Sequence, residues 1–249
     1  IVPLDSEHNS IFHLLNNDHG SFKSITITAS GGPFRKLPLK SFNNISINQA
    51  VSHPIWKMGK KISIDSATMV NKALEIIEAK YLFNLEDSQI DAIIHPQAVV
   101  HAMVNYKNGI TTALLNKPDM RIPISSLFFK FNGYSKTKKF NLLEHSKLEF
   151  YPININRYPA IKLGKEVMKI GGLAPNAFNY LNEILVSYFL KGEIKFVDIT
   201  TLNEINLDVV KTGFWRCRFE EKPVTKKKYY KPKEKSGSQK LLDLSLIHI

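Results

Sequence analysis

An Asn-Gly dipeptide at positions 108–109 separates two stretches, 99–106 and 110–115, that are rich in β-branched residues. Such a dipeptide is typical of a tight turn between antiparallel strands, because both residues tolerate a positive φ. A third stretch, 24–28, alternates in the same way and predicts another strand. It runs into a glycine-rich loop at residues 30–33. A sheet built partly on a hairpin is therefore expected in the first half of the chain.

Residues 61–65 predict one more strand, and helical periodicity follows it at residues 66–83. The apolar face of this predicted helix comprises Val70, Leu74, Ile77 and Tyr81. The opposite face comprises Asn71, Lys72 and Glu75. Because an amphipathic helix usually turns its polar face to water, Lys72 is expected to be exposed to solvent. Residues 160–168 and 177–190 show the same periodicity and predict further helices.

These patterns predict an α/β fold with several parts. Residues 1–136 are expected to form a mixed-sheet domain that carries the candidate sites. A polar segment without a clear period, 137–155, predicts a linker, and residues 156–213 would form a partial C-terminal helical domain. Residues 214–249 include a stretch of low complexity and are expected to be a disordered or artefactual tail.

Charge and cysteine content exclude several classes of protein. The formal net charge is +12, but residues 211–240 alone hold 11 basic and 3 acidic residues. The basic excess therefore belongs largely to the tail, and the body of the chain gives little support to nucleic-acid binding. A single cysteine excludes a disulfide framework. No apolar run reaches the length of a membrane-spanning helix.

The first candidate site is the segment Asp5-Ser6-Glu7. On an extended segment, side chains two residues apart point the same way, so Asp5 and Glu7 could share one divalent cation. Glu75 would supply a third carboxylate, and Mg²⁺ or Mn²⁺ would suit such an all-oxygen set. The alternative is that Asp5 and Ser6 cap a helix over residues 9–15.

A second group of residues could hold an anion. Backbone N–H groups in a glycine turn and at a helix N-terminus bind phosphate, and a lysine adds a positive charge. The residues are Ser30, Gly31, Gly32, Ser66, expected at a helix start, Asn71 and Lys72. Each of them alone is better explained as a turn or a helix cap, so it is their joint occurrence that favours a site.

The segment 53–59 contains Trp56 within a connection rich in Pro and Gly. Its indole is either an ordinary packed aromatic group or a lid that closes over a ligand and excludes water. The spacing of His95 and His101 does not assign a role to either histidine.

Together these segments resemble the 1-deoxy-D-xylulose 5-phosphate reductoisomerase family. The matching blocks, in family order, are residues 3–9, 30–35, 53–59, 64–72, 94–97 and 117–121. The resemblance implies metal ligands at Asp5, Glu7 and Glu75. It implies substrate contacts at Ser6, Glu7, Ser30, His53, Ser66, Asn71, Lys72 and Glu75. It further implies that Glu7, Glu75 and Trp56 take part in catalysis, and that Met58 and Gly59 lie near the nicotinamide cofactor.

The activity implied by the resemblance is the rearrangement and NADPH-dependent reduction of 1-deoxy-D-xylulose 5-phosphate to 2-C-methyl-D-erythritol 4-phosphate, in non-mevalonate isoprenoid biosynthesis. The metal would be Mn²⁺ or Mg²⁺, with Co²⁺ as a further candidate. The full-length protein is expected to be a homodimer without nucleic-acid or membrane partners. Its compartment would be the cytoplasm of a bacterium, or the plastid or apicoplast stroma of a eukaryote.

The family's N-terminal Rossmann domain, which binds NADPH, has no counterpart in the sequence, so the chain is expected to be a fragment that is inactive alone. Two other hypotheses remain open at this point. One is a metal-dependent phosphoryl-transfer enzyme that uses the same carboxylates. The other is a non-catalytic basic binding module that depends on residues 226–235.

Overall fold

A computed structural model describes the chain over residues 1–16, 22–56, 58–129, 137, 139–201, 218–220 and 227–229. The helices are α1 (Ser6–Asn16), α2 (Ile47–Ala50), α3 (Lys60–Thr68), α4 (Val70–Phe83), α5 (Arg121–Phe129), α6 (Pro159–Ile170) and α7 (Ala174–Leu190), and residues 196–201 are also helical. The strands are β1 (Phe22–Ala29), β2 (Ile90–Ile94), β3 (Val100–Tyr106), β4 (Thr111–Leu115), β5 (Arg218–Glu220) and β6 (Lys227–Tyr229).

The first four strands form a mixed sheet in the order β2-β1-β3-β4. Strand β1 pairs with β2 in parallel and with β3 in antiparallel orientation, and β3 and β4 form the predicted hairpin around positions 108–109. The strands predicted at 24–28, 99–106 and 110–115 are thus confirmed. Strand β2 was not predicted. The α/β fold class with a mixed sheet is confirmed.

Residues 61–65 are helical, and the prediction of a strand there is wrong. Within α3 the side chains of Ile64 and Thr68 are buried, four residues apart, which is the spacing of a helix face. Helix α3 ends at Met69, whose backbone is left-handed with φ of 60°. Helix α4 begins at the next residue, so the continuous helix predicted at 66–83 is broken near its start.

Helices α6 and α7 confirm the predictions at 160–168 and 177–190. Helix α6 packs closely on α4: a Cβ atom at Gly164 would lie 2.8 Å from the Cβ of Ala73. Residues of both helices belong to the same buried core as α4 and the sheet. The segment 137–155 therefore does not separate two cores in the described part of the chain, and the domain boundaries stay a prediction.

Strands β5 and β6 pair with each other within the predicted tail. The rest of residues 214–249, including most of the basic segment 226–235, lies outside the described residues, so the predictions made for it remain untested. No helix in the described ranges is both long enough and apolar enough to cross a membrane.

Candidate active site

The predicted site residues, with the exception of Gly32, line one cavity of about 670 Å³. It opens between α1, the carboxyl end of β1, residues 53–61 and the junction of α3 with α4. The predicted residues in its wall are Asp5, Ser6, Glu7, Ser30, Gly31, His53, Trp56, Met58, Gly59, Ser66, Asn71, Lys72 and Glu75. Residues far apart in the sequence are therefore brought together as the motif pattern predicts.

Asp5 caps helix α1 and also lines the cavity. Its Oδ1 accepts hydrogen bonds from the backbone N–H groups of Glu7 (3.1 Å) and His8 (3.2 Å), so it caps the start of α1. Glu7 consequently lies in the first turn of a helix, and the expectation of an extended segment is wrong. Capping occupies one carboxylate oxygen and leaves the other available, so the cap and a ligand role are compatible.

The carboxylates of Asp5, Glu7 and Glu75 offer oxygens that lie within 4.8 Å of one another. The ammonium of Lys72 lies among them: its Nζ is 2.8 Å from Oε1 of Glu7 and also contacts Oε2 of Glu75. Lys72 is only 4% exposed, so the expectation that it faces solvent is wrong. The polar face of α4 is directed into an internal cavity instead of into water.

Burial and the neighbouring carboxylates raise the pKa of Asp5 and raise the pKa of Glu75 well above its usual range. Burial acts in the same direction on Glu7, but the Lys72 ammonium, with help from His101, lowers the pKa of Glu7 to about 2. The two glutamates share one lysine and respond oppositely. Three ionised carboxylates and one ammonium would leave two negative charges buried, and bound protons or a divalent cation would neutralise them.

On the opposite wall, hydrogen bonds fix the tautomer of His53. Its Nδ1 accepts from the backbone N–H groups of Ile55 (3.1 Å) and Trp56 (2.8 Å), so the proton is on Nε2. This Nε2–H donates to the hydroxyl of Ser30 (3.1 Å), which also accepts from the N–H of Gly32 (3.2 Å). Burial lowers the pKa of His53 to about 4, which keeps it neutral. The proton of the Ser30 hydroxyl is therefore free to be donated to a ligand.

The remaining predicted anion contacts, Ser66, Asn71 and Lys72, also line the cavity. Asn71 and Lys72 occupy the first turn of α4, and the side-chain amide of Asn71 donates to Oε1 of Glu75 (2.6 Å). Ser66 lies near the end of α3, so the expectation of a serine at a helix start is wrong. The N-terminal ends of α1, α3 and α4 all border this cavity.

Trp56, Met58 and Gly59 lie at one side of the cavity in a segment without helix or strand. The indole of Trp56 is half-buried. This exposure does not distinguish a packed core residue from a lid. A Cβ atom at Gly59 would meet no atom within 4 Å, so the backbone there borders open space. The lid hypothesis stays a prediction.

Sequence reasoning left two histidines of this region without a role. His101 lines the cavity and is almost fully buried, and its Nε2 has no hydrogen-bond partner within the described residues. His8 bonds the backbone oxygen of Glu75 through Nε2 (2.9 Å) and so ties α1 to α4. The alternation of β3 put His101 on one face of a strand, but only the tertiary structure reveals that the face is that of the cavity.

Two family models match the chain. Residues 1–83 match the 1-deoxy-D-xylulose 5-phosphate reductoisomerase C-terminal domain, and residues 115–234 match the DXP reductoisomerase C-terminal domain. The chain belongs to the 1-deoxy-D-xylulose 5-phosphate reductoisomerase family. The second match extends into residues 214–249, which were expected to be a disordered or artefactual tail.

Curated members of this reductoisomerase family resemble the chain over most of its length. The chain is 44% identical to 1-deoxy-D-xylulose 5-phosphate reductoisomerase of Ehrlichia ruminantium (strain Gardel) over 214 residues, which are 84% of the chain and 55% of that protein. It is also 44% identical to the reductoisomerase of Wolbachia pipientis wMel over 210 residues, covering 84% of the chain and 54% of that protein. The chain thus spans about half the length of these relatives.

Solved reductoisomerase structures share the fold. One is DOX-P reductoisomerase in complex with NADPH, fosmidomycin and magnesium, with a TM-score of 0.81 and 36% identity, covering 87% of the chain and 57% of that structure. Another is the Zymomonas mobilis reductoisomerase in complex with NADPH, with a TM-score of 0.78 and 35% identity, covering 98% of the chain and 58% of that structure.

Proposed function

We propose that the complete protein converts 1-deoxy-D-xylulose 5-phosphate to 2-C-methyl-D-erythritol 4-phosphate by rearrangement and NADPH-dependent reduction, in non-mevalonate isoprenoid biosynthesis. The observation that carries this proposal is that a chain of the reductoisomerase family has a carboxylate cluster and a set of hydrogen-bond donors for an anion in the walls of one cavity. Such a cavity suits a small molecule with neighbouring oxygens at one end and a phosphate at the other.

Asp5, Glu7 and Glu75 would hold Mg²⁺, Mn²⁺ or Co²⁺. The donor set fits, because hard divalent cations prefer oxygen ligands and the three carboxylates already converge around a positive charge, the ammonium of Lys72. The related structures named above include one with magnesium. When bound, the cation supplies Lewis-acid polarisation and NADPH supplies the reducing equivalent.

The substrate phosphate would be bound on the other wall. The Ser30 hydroxyl is oriented by the Nε2–H of neutral His53 and keeps its own proton for an anion. Ser66 adds a second hydroxyl. Asn71 and Lys72 hydrogen-bond the glutamates, and from the first turn of α4 they would also extend an amide and an ammonium towards the anion. Hydrogen bonds with a charged partner are the strong ones, so this wall would anchor the substrate and orient its reacting end towards the carboxylates.

Trp56 and Met58 would cover the bound substrate and exclude water, and Met58 and Gly59 would border the nicotinamide. The open space beside Gly59 supports this position for a planar ring. We further propose a homodimer of the complete protein. Its compartment would be the cytoplasm of a bacterium, or the plastid or apicoplast stroma of a eukaryote.

The proposal is tested by completing the chain. The N-terminal part of the Ehrlichia ruminantium relative is fused ahead of Ile1, and loss of NADPH absorbance is followed with Mn²⁺ and substrate. The fusion should oxidise NADPH, whereas the chain alone should not.

In the fusion, Glu75→Gln preserves shape but removes one carboxylate of the proposed metal site, so it should lower kcat/KM by about 100-fold and weaken Mn²⁺ binding. Glu193→Gln is the matched control, because Glu193 is exposed and does not line the cavity, and it should behave like the unaltered fusion. A folded fusion that binds Mn²⁺ and NADPH but does not oxidise NADPH when substrate is added would contradict the proposed activity.

A further inference from the structure

The loop that follows β1 carries Ser30 and passes close to α3. Gly31 and Gly32 have φ values of 83° and 62°, which disfavour any residue with a side chain. A Cβ atom at Gly32 would lie 2.9 Å from the backbone oxygen of Ser66, so the loop passes in direct contact with α3. The position of the Ser30 hydroxyl therefore depends on whatever holds this loop against α3.

A distant tyrosine holds the loop from the other side. Tyr158 lies directly before α6 and is only 1% exposed. Its hydroxyl donates a 2.7 Å hydrogen bond to the backbone oxygen of Gly31, the residue next to Ser30. Burial raises the pKa of Tyr158 to about 12, so its hydroxyl remains protonated and remains a donor.

The preceding residue holds the continuation of the same loop. One guanidinium nitrogen of Arg157, Nη1, donates to the backbone oxygens of Phe34 (2.9 Å) and Leu37 (2.6 Å). The guanidinium also lies over the ring of Phe42, 5.3 Å from its centroid. Two adjacent side chains thus donate to three carbonyl groups of one loop. The carbonyl of Phe34 also accepts from the backbone N–H of Leu37 (3.1 Å), whereas those of Gly31 and Leu37 would otherwise need water.

We propose that Arg157 and Tyr158 are positioning residues for anion binding: they hold the 31–37 loop so that the Ser30 hydroxyl is presented to the cavity. This inference rests on the phosphate wall of the proposed function. Neither residue lines the cavity, so each would act only through the loop. Tyr158 belongs to the same buried core as α1 and α4, which carry the carboxylates. A role in plain packing alone would therefore make its substitution disturb the carboxylate wall as well as the Ser30 wall.

The test compares two ligands in one protein. Binding of Mn²⁺ and of inorganic phosphate to the purified chain is measured by titration calorimetry, with phosphate added at saturating Mn²⁺. Tyr158→Phe removes only the hydroxyl that holds Gly31. It should weaken phosphate binding by about fivefold or more while changing Mn²⁺ affinity by less than about twofold.

Tyr106→Phe is the matched control. Tyr106 is also buried, at 6% exposure, and its hydroxyl has no hydrogen-bond partner within the described residues. It pairs with Phe22, at the opposite end of β1 from Ser30. The same chemical change there should leave both affinities as in the unaltered chain.

Arg157→Lys is the second variant, and it tests the positioning role by itself if Tyr158→Phe does not fold. It keeps the positive charge but cannot reproduce the geometry of the guanidinium, so phosphate binding should weaken about threefold without a change in Mn²⁺ binding. Equal phosphate affinity in variant and unaltered chain, or a parallel loss of both ligands, would overturn the inference alone. An unaltered chain that binds Mn²⁺ but no phosphate would instead refute the phosphate wall and the inference with it.

Discussion

Lys72→Met is the substitution that most directly probes the carboxylate cluster. Methionine keeps the length and much of the apolar volume of the lysine stem but removes the ammonium that contacts Glu7 and Glu75. Without it, three carboxylates with oxygens within 4.8 Å of one another face each other in a buried site. From the sequence, Lys72 was expected to be exposed, and a substitution would then have left stability nearly unchanged.

The expected loss in free energy of unfolding follows from the burial of the carboxylates that contact Lys72. Removing one member of a buried ion pair leaves an uncompensated buried charge and typically costs about 3–5 kcal/mol. Glu75 is 2% exposed and its pKa is already raised by burial, so it can take up a proton and relieve part of the repulsion. We therefore expect Lys72→Met to lower the free energy of unfolding by about 3 kcal/mol at pH 8, and by less at pH 5.

A bound divalent cation should offset most of this loss of stability. In the unaltered chain a divalent ion must displace the ammonium from Glu7 and Glu75, whereas in Lys72→Met it need not. Mn²⁺ should therefore bind the variant at least about fivefold more tightly and raise its melting temperature more. Ligand that binds only the folded state at 100 times its Kd stabilises by about 2.7 kcal/mol, which is enough to restore most of the loss.

The assay is a thermal melt with and without Mn²⁺, together with calorimetric titration of Mn²⁺. Lys80→Met is the control on the same helix: Lys80 forms a 2.5 Å contact with Asp87 that is partly exposed, so its loss should cost at most about 1 kcal/mol. Mn²⁺ affinity should not change in this control. A Lys72→Met protein as stable as the unaltered chain without metal, or one with weakened Mn²⁺ binding, would refute this account of the cluster.

Three further predictions concern other parts of the structure. The pKa of His53 is lowered from 6.5 to about 4 in the folded protein, so its contribution to stability is present above pH 6.5 and is lost as pH falls towards 4; melts across this range should show a flatter acid dependence in His53→Asn than in the unaltered chain. Gly164→Ala should lower the free energy of unfolding in urea by about 1–3 kcal/mol, because its Cβ would lie 2.8 Å from that of Ala73, and an unchanged midpoint would show that α6 can move away at no cost. Trp56→Ala should cost less than the 3–5 kcal/mol or so of a fully buried aromatic, since the indole is only half-buried; a larger fall in a thermal melt would identify a core residue and count against the lid.

Sequence patterns correctly predicted those helices and strands whose local residues are compatible with only one type of secondary structure. The turn at 108–109 specifies a hairpin by itself, and the strands on either side follow from it. The segment 61–65 is ambiguous, because isoleucines at 62 and 64 satisfy a strand over five residues as well as a turn of helix. Only the longer spacing from Ile64 to Thr68 distinguishes the two.

The candidate site was predictable as a set of residues but not as a geometry. The motifs identify the residues that line the cavity, since each carries polar groups where a simple core would not need them. A helical pattern shows that Lys72 and Glu75 share one face of α4, but it does not show whether that face meets water or an internal cavity. The packing of α1 against this face of α4 determines that it meets a cavity. This packing depends on a contact between Lys72 and Glu7, which are 65 positions apart in the sequence.

The hydrogen bond from Tyr158 to Gly31 joins residues 127 positions apart in the sequence, and the one from Arg157 to Phe34 joins residues 123 positions apart. A ribosome adds about 5–20 residues per second, so the Ser30 loop would exist for on the order of 10 s before the residues that hold it are synthesised. Strand β1 likewise waits for β2 and β3. A nascent chain that is stalled before residue 157 should therefore be cut by proteases within the 31–37 loop, and protection should arise only when α6 has emerged and packed on α4.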